Sequence, residues 1–311
     1  MMPIFRVALL LVSISWLSAC QSEEQTISKP FYPISLAYWA NRDVFLVGSY
    51  ADASINLVKA DGTVEGKFQL PYSDGRQHAL RLSVDNTRQQ LWALDQGMLT
   101  IYTLANQQLL HKILLPSHAQ CQPPLFALVL DSSGAAYVGG MNCYQIYRVD
   151  PIDLQARVWV TLPQPLNALV LNKSAEQLIG IASNGSLWRI ALETKQITSV
   201  RLSRPLPNLQ TTVLDNAWLA WNMVSVQAMS WQTGSVLYLL HGTSPALVKI
   251  ELTTDERYAE VRDLPHTGFD TLMAGVYQNG FAYTPETTTH IAWYSSNQPL
   301  SPLWVRKIAR N

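Results

Sequence analysis

A strand pattern that returns six times, an abundance of strand-forming aromatic residues and a scarcity of helical signals predict an all-β fold. The repeated unit is an aliphatic residue, a bulky residue, a usually polar residue and a mostly apolar residue. Ten tryptophans and thirteen tyrosines favour strands over helices. We therefore expect a six-bladed β-propeller of four-stranded blades over residues 34–311.

The six copies follow one another at nearly constant intervals. Their starts are 44, 45, 41, 60 and 44 residues apart, and a four-stranded blade takes about 40–45 residues. The copies are 57–60, 101–104, 146–149, 187–190, 247–250 and 291–294. The longest interval contains residues 205–225, which we interpret as an inserted loop or an extra strand. We expect Trp218 and Trp221 in it to pack on a blade flank or to line a ligand face.

Each copy also contains the other strands of a blade. FALVL (126–130) and NALVL (167–171) are apolar strands that lead into polar turns, and several fourth strands end in Leu-Pro, as at 115–116. Proline ends strand pairing because it has no backbone N–H. A β-sandwich or an irregular barrel is the alternative, but sandwich strands do not repeat one four-strand order six times.

The first 19 residues predict a signal peptide. One basic residue, Arg6, precedes an apolar run at 7–17, and small residues then lead to Cys20. A membrane-spanning helix needs about 20 apolar residues, and this run is shorter and is followed at once by polar residues. Residues 1–19 are therefore expected to be removed.

The sequence LSAC at 17–20 resembles a bacterial lipobox. The resemblance implies that Cys20 becomes the first mature residue and carries acyl chains such as palmitate. Gln21, in place of Asp, resembles a signal for the outer membrane. Each buried methylene contributes about 0.8 kcal/mol, so several chains hold a domain on a bilayer. We expect residues 20–33 to be the lipidated cysteine and a tether, with the domain at the outer membrane, facing the periplasm.

The charge balance argues against a nucleic-acid partner. The chain has 22 Lys and Arg residues against 22 Asp and Glu residues, so it lacks the basic field that displaces counterions from phosphates. The partners we expect are the lipid bilayer, through acylated Cys20, and another envelope protein or a peptide. No cofactor is expected.

Cys121 and Cys143 are the cysteines that remain beyond Cys20. They flank a hairpin whose turn is DSSG at 131–134, and the two ends of an antiparallel hairpin lie side by side. An oxidising periplasm favours a structural disulfide between them. A redox or metal-binding pair is the alternative, but the chain has no CxxC motif.

Propeller topology predicts which loops gather on the binding face. If strands one to four run from axis to rim, the loops joining strand two to three and strand four to the next strand one emerge on one side. The candidate ligand residues in or beside these loops are His78, Asp95, Asn142, Asn167, Asn184, His241 and Asp270. Because loops are polar in any protein, these positions form a map of candidates.

This blade pattern resembles the six-bladed propeller superfamily that includes the gluconolactonase and senescence-marker-protein family, and surface-layer-type propeller repeats. In that family an inner-strand Asn joins a Glu, a second Asn and an Asp to hold a divalent cation, and Pro165-Leu166-Asn167-Ala168 loosely matches its motif. The equivalent positions are about Leu36, Leu80, Phe126, Val226 or Gln227, and Leu272 or Met273. None is a carboxylate, and hard cations need several oxygen ligands. We therefore predict no metal site and interpret Asn167 as a residue at the start of a strand.

Two functions of different classes remain. The chain contains no GxSxG, HExxH, Walker or GxGxxG motif, which favours a non-catalytic binding scaffold with no catalytic residues. The alternative is a periplasmic hydrolase or lactonase, in which a His–Asp pair such as His78 with Asp95, or His241 with Asp270, would act as general base. Apolar residues in the central channel would favour the scaffold, and converging carboxylates would favour the enzyme.

The lipobox generates a prediction for Cys20→Ala. Without the thiol there is no site for acylation, so the protein should lose its lipid and leave the membrane fraction. Fractionation of cells with mass spectrometry of the N-terminus checks this. A variant that stays tightly membrane-bound would contradict lipid anchoring through Cys20.

Overall fold

A computed structural model describes most of the first two thirds of the chain and several strands of the last third. The described residues are 31, 33–59, 62–123, 125–140, 142–172, 174, 176–182, 184–206, 226–231, 236–241, 246–264, 276–278, 281–286 and 304–308. In these ranges the secondary structure is strand apart from one short 3-10 helix at Ala40–Arg42. No helix in this part of the chain has the length and apolar character needed to cross a bilayer.

Antiparallel meanders of four strands are the repeated unit of the fold. The first sheet contains β1 (Pro33–Trp39), β2 (Val44–Ser49), β3 (Ile55–Val58) and β4 (Val64–Gln69). The second contains β5 (Arg81–Asp85), β6 (Gln90–Leu94), β7 (Met98–Thr103) and β8 (Leu109–Leu114). The third contains β9 (Ala127–Leu130), β10 (Ala136–Gly140), β11 (Cys143–Val149) and β12 (Ala156–Thr161).

The remaining strands form an eight-stranded and a three-stranded sheet. The former contains β13 (Leu166–Leu171), β14 (Gln177–Ala182), β15 (Leu187–Ala191), β16 (Ile197–Leu202), β17 (Val226–Trp231), β18 (Val236–His241), β19 (Ala246–Leu252) and β20 (Tyr258–Leu264). The latter contains β21 (Val276–Gln278), β22 (Phe281–Glu286) and β23 (Trp304–Ile308). The predicted strand at 291–294 and both tryptophans of the 205–225 segment lie outside the described residues.

The first strand of each unit, here called the inner strand, contacts the inner strands of its neighbours. The contacts join β1 with β5, β5 with β9, β9 with β13, β13 with β17, β17 with β21, and β21 with β1. Buried side chains fill the spaces between successive sheets. The all-β fold and the propeller-like arrangement of four-stranded sheets are therefore confirmed.

The first and second sheets are held together at Ala79, which precedes β5. The Ser35 hydroxyl donates to the Ala79 carbonyl oxygen at 2.6 Å, and the Ala79 N–H donates to the Ser49 carbonyl oxygen at 2.9 Å. A Cβ on Gly48 would lie 2.3 Å from Ser35 Oγ and 2.7 Å from Ala79 Cβ. The sheets can approach this closely because position 48 has no side chain.

The eight-stranded sheet consists of two four-strand meanders joined at their outer strands. β16 and β20 pair in parallel through Arg201 with Tyr258 and Leu202 with Ala259. Side chains extend the junction, since Arg189 Nη1 donates to the Asp255 carbonyl oxygen at 2.8 Å.

Cys121 and Cys143 form a disulfide, which confirms the predicted pairing. The geometry differs from the predicted hairpin, because Cys143 begins the third strand of its sheet and Cys121 lies before the first strand. The chain before β9 crosses the turn between β10 and β11, so that Cys121 pairs directly with Cys143 as an antiparallel bridge. Backbone bonds from Gln122 to Asn142 and from Tyr144 to Gln120 flank the bridge.

The close approach at Gly48 predicts that Gly48→Ala destabilises the fold. The added methyl would force the first and second sheets apart, and overpacking of this kind costs about 1–3 kcal/mol. Urea unfolding measures the loss. Gly66→Ala is the matched control, because a Cβ at position 66 in β4 meets nothing within 4 Å. Equal stability of the two variants would contradict the packing described.

The disulfide predicts that Cys143→Ser lowers the melting temperature under oxidising conditions. The bond spans 22 residues of sequence, and closing a loop of this size stabilises a fold by roughly 3 kcal/mol on the chain-entropy estimate. The wild-type protein after reduction should melt like the variant. An unchanged melting temperature for oxidised wild type and variant would show that the bond contributes nothing.

Candidate functional site

The candidate site is the loop face, which we define as the side that carries two kinds of loop. These join the second strand of a unit to the third, and the fourth strand to the next inner strand. Among the described residues these loops include 50–54, 70–80, 95–97, 115–123, 125–126, 142, 162–165, 184–186 and 203–206. The opposite side, the turn face, carries the turns between first and second strands and between third and fourth strands.

Three buried carboxylates of the loop face hold the backbone of the loops. Asp52 Oδ1 accepts from the Ser54 N–H at 3.1 Å and the Ser54 hydroxyl at 2.7 Å. Asp95 accepts from two backbone N–H groups, at residues 77 and 96, each at 2.7 Å. Asp74 accepts from the Arg76 N–H at 3.0 Å. These carboxylates therefore hold the backbone of the loops in its conformation through hydrogen bonds.

Arg76 is a fully buried cation beneath these loops. Its Nε donates to Asp74 Oδ2 at 2.8 Å, and the side chains are 0% and 4% exposed. The guanidinium carbon lies 5.7 Å from the ring centroid of Tyr102. Burial lowers the pKa of Arg76, and Asp74 and Asp95 oppose this effect. Nη1 and Nη2 have no hydrogen-bond partner within the part of the chain that the structure describes.

Tyr50, which follows β2, and His78, which precedes β5, lie together on the loop face. Their rings stack with centroids 4.0 Å apart and planes 20° apart. The His78 Nδ1–H donates to the Tyr50 carbonyl oxygen at 2.5 Å, since a carbonyl oxygen can only accept. Burial, followed by the nearby Asp95 charge, raises the pKa of the Tyr50 hydroxyl, which keeps it protonated.

Among the described hydrogen bonds, none joins His78 to Asp95, the two residues suggested as a general base and its orienting carboxylate. His78 Nδ1 contacts a backbone carbonyl oxygen, and both oxygens of Asp95 accept from backbone N–H groups. In a Ser–His–Asp triad the carboxylate bonds to the imidazole nitrogen opposite the reacting one, whereas in this protein a backbone carbonyl oxygen occupies that place at His78. The Asp95 carboxylate instead accepts hydrogen bonds from the backbone N–H groups of Gln77 and Gln96. The pair His241 and Asp270 is not tested, because Asp270 lies outside the described residues.

A second cluster surrounds the disulfide. His118 Nδ1 accepts from the Gln120 N–H at 3.3 Å, so the proton lies on Nε2, which is 2.8 Å from Gln145 Oε1. The Tyr147 hydroxyl lies 3.1 Å from the same Nε2. Burial raises the pKa of Tyr147. The histidine thus ties the loop before β9 to β11, next to the disulfide.

The other predicted site residues lie on different sheets. Asn142 and Asn184 are exposed in loops of the third sheet and the β14–β15 turn, and Asn184 Oδ1 accepts from the Ser186 N–H at 3.0 Å. His241 ends β18 and pairs with Val226. The structure brings Tyr50, His78 and Asp95 together, and the two asparagines lie on other sheets.

Asn167 is buried in inner strand β13, at a break in register between Leu166 and Ala168. The same break occurs in β1 between Pro33 and Ser35, so the register makes Ile34, and not Leu36, the equivalent of Asn167. The sequence alignment was displaced by two residues because it did not include these irregularities. Ile34, Leu80 and Phe126, at the equivalent positions of the first three sheets, are all buried.

Metal ligands are not clustered in the described ranges. No group of three or more His, Cys, Asp or Glu side chains there is arranged to hold a metal ion. The carboxylates closest in sequence to the candidate residues are engaged with backbone N–H groups or with Arg76, as above.

The exposed apolar residues of the loop face were missed by the sequence analysis. Leu114 is 78% exposed, Leu70 61%, Tyr144 46% and Tyr72 38%. Leu115 and Leu162, which end fourth strands in the same Leu-Pro context as Leu70, are buried. The Leu-Pro motif therefore carries no signal of which leucine faces solvent.

Comparisons with known proteins show the fold alone. No family model matches the chain, and no curated protein matches it. It is similar to a protein of unknown function from Bacteroides thetaiotaomicron, with 15% identity, a TM-score of 0.60, and coverage of 82% of this chain and 67% of that one. It is similar to the Cps50 (Swd1) β-propeller domain of Myceliophteria thermophila, with 14% identity, a TM-score of 0.52, and coverage of 82% and 94%. Kuenenia stuttgartiensis hydrazine synthase has 9% identity, a TM-score of 0.58, and coverage of 93% and 89%.

The buried ion pair predicts that Asp74→Asn destabilises the protein. Asparagine keeps an oxygen for the Arg76 N–H but leaves the cation without its counter-ion, and breaking a buried pair costs about 3–5 kcal/mol. Urea unfolding measures this. Asp153→Asn is the control, because Asp153 pairs with Arg157 in solvent and should show no measurable change. If the two variants unfold alike, the Asp74–Arg76 pair does not hold the loop face together.

Proposed function

We propose that the chain is a six-bladed propeller lipoprotein of the bacterial envelope that acts as a non-catalytic binding scaffold through its loop face. Two features support the count of six. The eight-stranded sheet divides into two four-strand units, which are paired only through outer strands β16 and β20. The three strands β21–β23 would belong to a sixth blade, whose inner strand contacts β1.

The apolar composition of the inner strands is the observation that favours a binding function over a catalytic one. The lactonase-like alternative needs oxygen ligands at the positions equivalent to Asn167. Ile34, Leu80 and Phe126 occupy three of them and are at most 5% exposed. An aliphatic or aromatic side chain offers no lone pair to a hard cation, so Asn167 would lack the ligands it needs from these sheets.

The state of the loops also supports a binding role. Gln77 N–H bonds to Asp95 in the second sheet, and Ala79 N–H bonds to Ser49 in the first. The connection between β4 and β5 is thus held from both sides before any partner arrives. A surface that is already ordered loses less conformational entropy on binding.

Membrane anchoring through Cys20 completes the proposal and rests on the lipobox resemblance. β1 begins on the loop face, since inner strands follow the loops of that side. A chain of about 12 residues between Cys20 and β1 reaches at most about 40 Å when fully extended. The anchor would therefore keep the scaffold close to the outer membrane.

Metal content tests the choice between scaffold and hydrolase. Acylated protein purified in detergent without chelator should contain no stoichiometric divalent ion, and calcium or zinc should not shift its melting temperature. The physical reason is the apolar set Ile34, Leu80 and Phe126. A bound stoichiometric ion that Asn167→Leu removes would contradict the scaffold and restore the hydrolase, with lactones and phosphoesters as the substrates to assay.

A further inference from the structure

Exposed carboxylates are distributed unequally between the two sides of the molecule. In the described loops of the loop face the carboxylates are Asp52, Asp74 and Asp95, and each is at most 7% exposed. The turn face leaves several carboxylates in water, and these are Asp43, Asp153, Glu176, Glu193 and Asp255. Within the described loops and turns, exposed negative charge therefore belongs to the turn face.

Exposed positive charge lies beside the loop face. Lys112, on outer strand β8, is exposed, and its Nζ would lie 3.8 Å from a Cβ on Gly75 in the connection between β4 and β5. Arg204 follows β16, and its side chain is 38% exposed and pairs with Asp263 on outer strand β20. Because Arg204 neutralises Asp263, the net charge that these residues add to the face comes from Lys112.

Exposed apolar side chains lie near Lys112. Leu114 is two residues along β8, so both side chains are on one side of the strand, and it is 78% exposed. Leu70 and Tyr72, at 61% and 38% exposure, belong to the connection that contains Gly75. Tyrosine is enriched where hydrocarbon meets water at a membrane, and lysine lays its apolar stem on such a surface with its charge in water. Leucine, tyrosine and lysine together are therefore typical of a surface at a bilayer interface.

The tether reaches the domain on the same side. β1 begins at Pro33 on the loop face and has 7 residues, so the turn face is about 23 Å farther from this attachment point. The chain of about 12 residues between Cys20 and β1 reaches at most about 40 Å. Acyl chains on Cys20 would keep the bilayer within this distance of the loop face, which gives the bilayer a high effective concentration there.

We propose that the loop face rests on the bilayer that holds acylated Cys20, with Lys112 against anionic headgroups and Leu70, Tyr72, Leu114 and Tyr144 in the interface. The inference rests on the membrane anchoring in the proposed function and names the partner of the loop face. The turn face is the less favourable side, because anionic lipids repel its exposed carboxylates. A partner protein also suits exposed leucine and tyrosine, but the bilayer is the surface to which this side of the chain is tethered.

Spin labels on the full acylated protein test the proposal in vesicles of phosphatidylethanolamine and phosphatidylglycerol. The nitroxide is attached to Leu114→Cys or Tyr144→Cys on the loop face, and to Ile152→Cys on the turn face, where the native side chain is 92% exposed. We expect the labels at 114 and 144 to be protected from a water-soluble nickel complex and to be reached by oxygen dissolved in the lipid. The label at 152 should stay open to the nickel complex.

Removal of the Lys112 charge should weaken the contact. One basic residue near an anionic membrane surface is worth about fivefold in binding, so Lys112→Gln should lower the ratio of docked to undocked protein about fivefold. The nickel accessibility of the label at 144 measures this ratio. Lys195→Gln is the matched control, because Lys195 is an exposed cation of the turn face and its removal should change nothing. Equal effects of the two substitutions would overturn the proposal.

The outcomes separate this proposal from the function on which it rests. Protein that does not float with the vesicles would overturn the anchor and the proposal together. Protein that floats, with the label at 114 as open to nickel as the label at 152, would overturn the docking and leave an anchored scaffold. Protection at 114 in native envelopes but not in the vesicles would assign the face to a protein partner and overturn the bilayer.

Discussion

One constraint shapes the described loops between residues 50 and 97, which is that Asp52, Asp74, Arg76 and Asp95 are buried and must find partners inside the protein. A buried charge without a partner is far more costly than a buried apolar group. Asp52 and Asp74 each accept a hydrogen bond from the backbone N–H two residues further along the chain. Asp95 accepts hydrogen bonds from the backbone N–H groups of residues 77 and 96. Because these side chains bond to the backbone and to one another, they hold the loops in place.

The same bonds join the sheets to one another. Asp95 belongs to the second sheet and holds Gln77 in the connection that leaves the first sheet. Ala79, two residues on, bonds back to the first sheet through Ser35 and Ser49. Arg81 in β5 then reaches the Phe126 carbonyl oxygen beside β9 at 2.7 Å, and burial lowers its pKa to about 10, so it stays a cation at neutral pH. The surface and the ring of inner strands are therefore parts of one hydrogen-bonded structure.

The repeat pattern predicted the four-stranded units because it reports alternation within single strands, which is a local property. Positions that depend on irregular backbone were not predictable, as the displacement from Leu36 to Ile34 shows. The cysteine pair was correctly predicted from an incorrect geometry, because both arrangements place Cys121 beside Cys143.

The candidate site was predicted less well, because some of its contacts join residues that are far apart in the sequence. The Asp52 turn is local, since Asp commonly binds a backbone N–H two residues on. The Asp95 contact reaches 18 residues back along the chain, and nothing in the sequence distinguishes this structural aspartate from a catalytic one. The exposure of Leu70 against the burial of Leu162 likewise depends on neighbouring loops.

Amide hydrogen exchange of the free protein tests most directly whether the loop face is ordered before binding. The Gln77 and Ala79 amides bond to Asp95 and Ser49, so they should exchange as slowly as the amides of β5 and β6. Ser73, in the same connection, bonds to the Leu70 carbonyl oxygen at 3.4 Å and should exchange faster. Rapid exchange at Gln77 and Ala79 would contradict a preformed loop face.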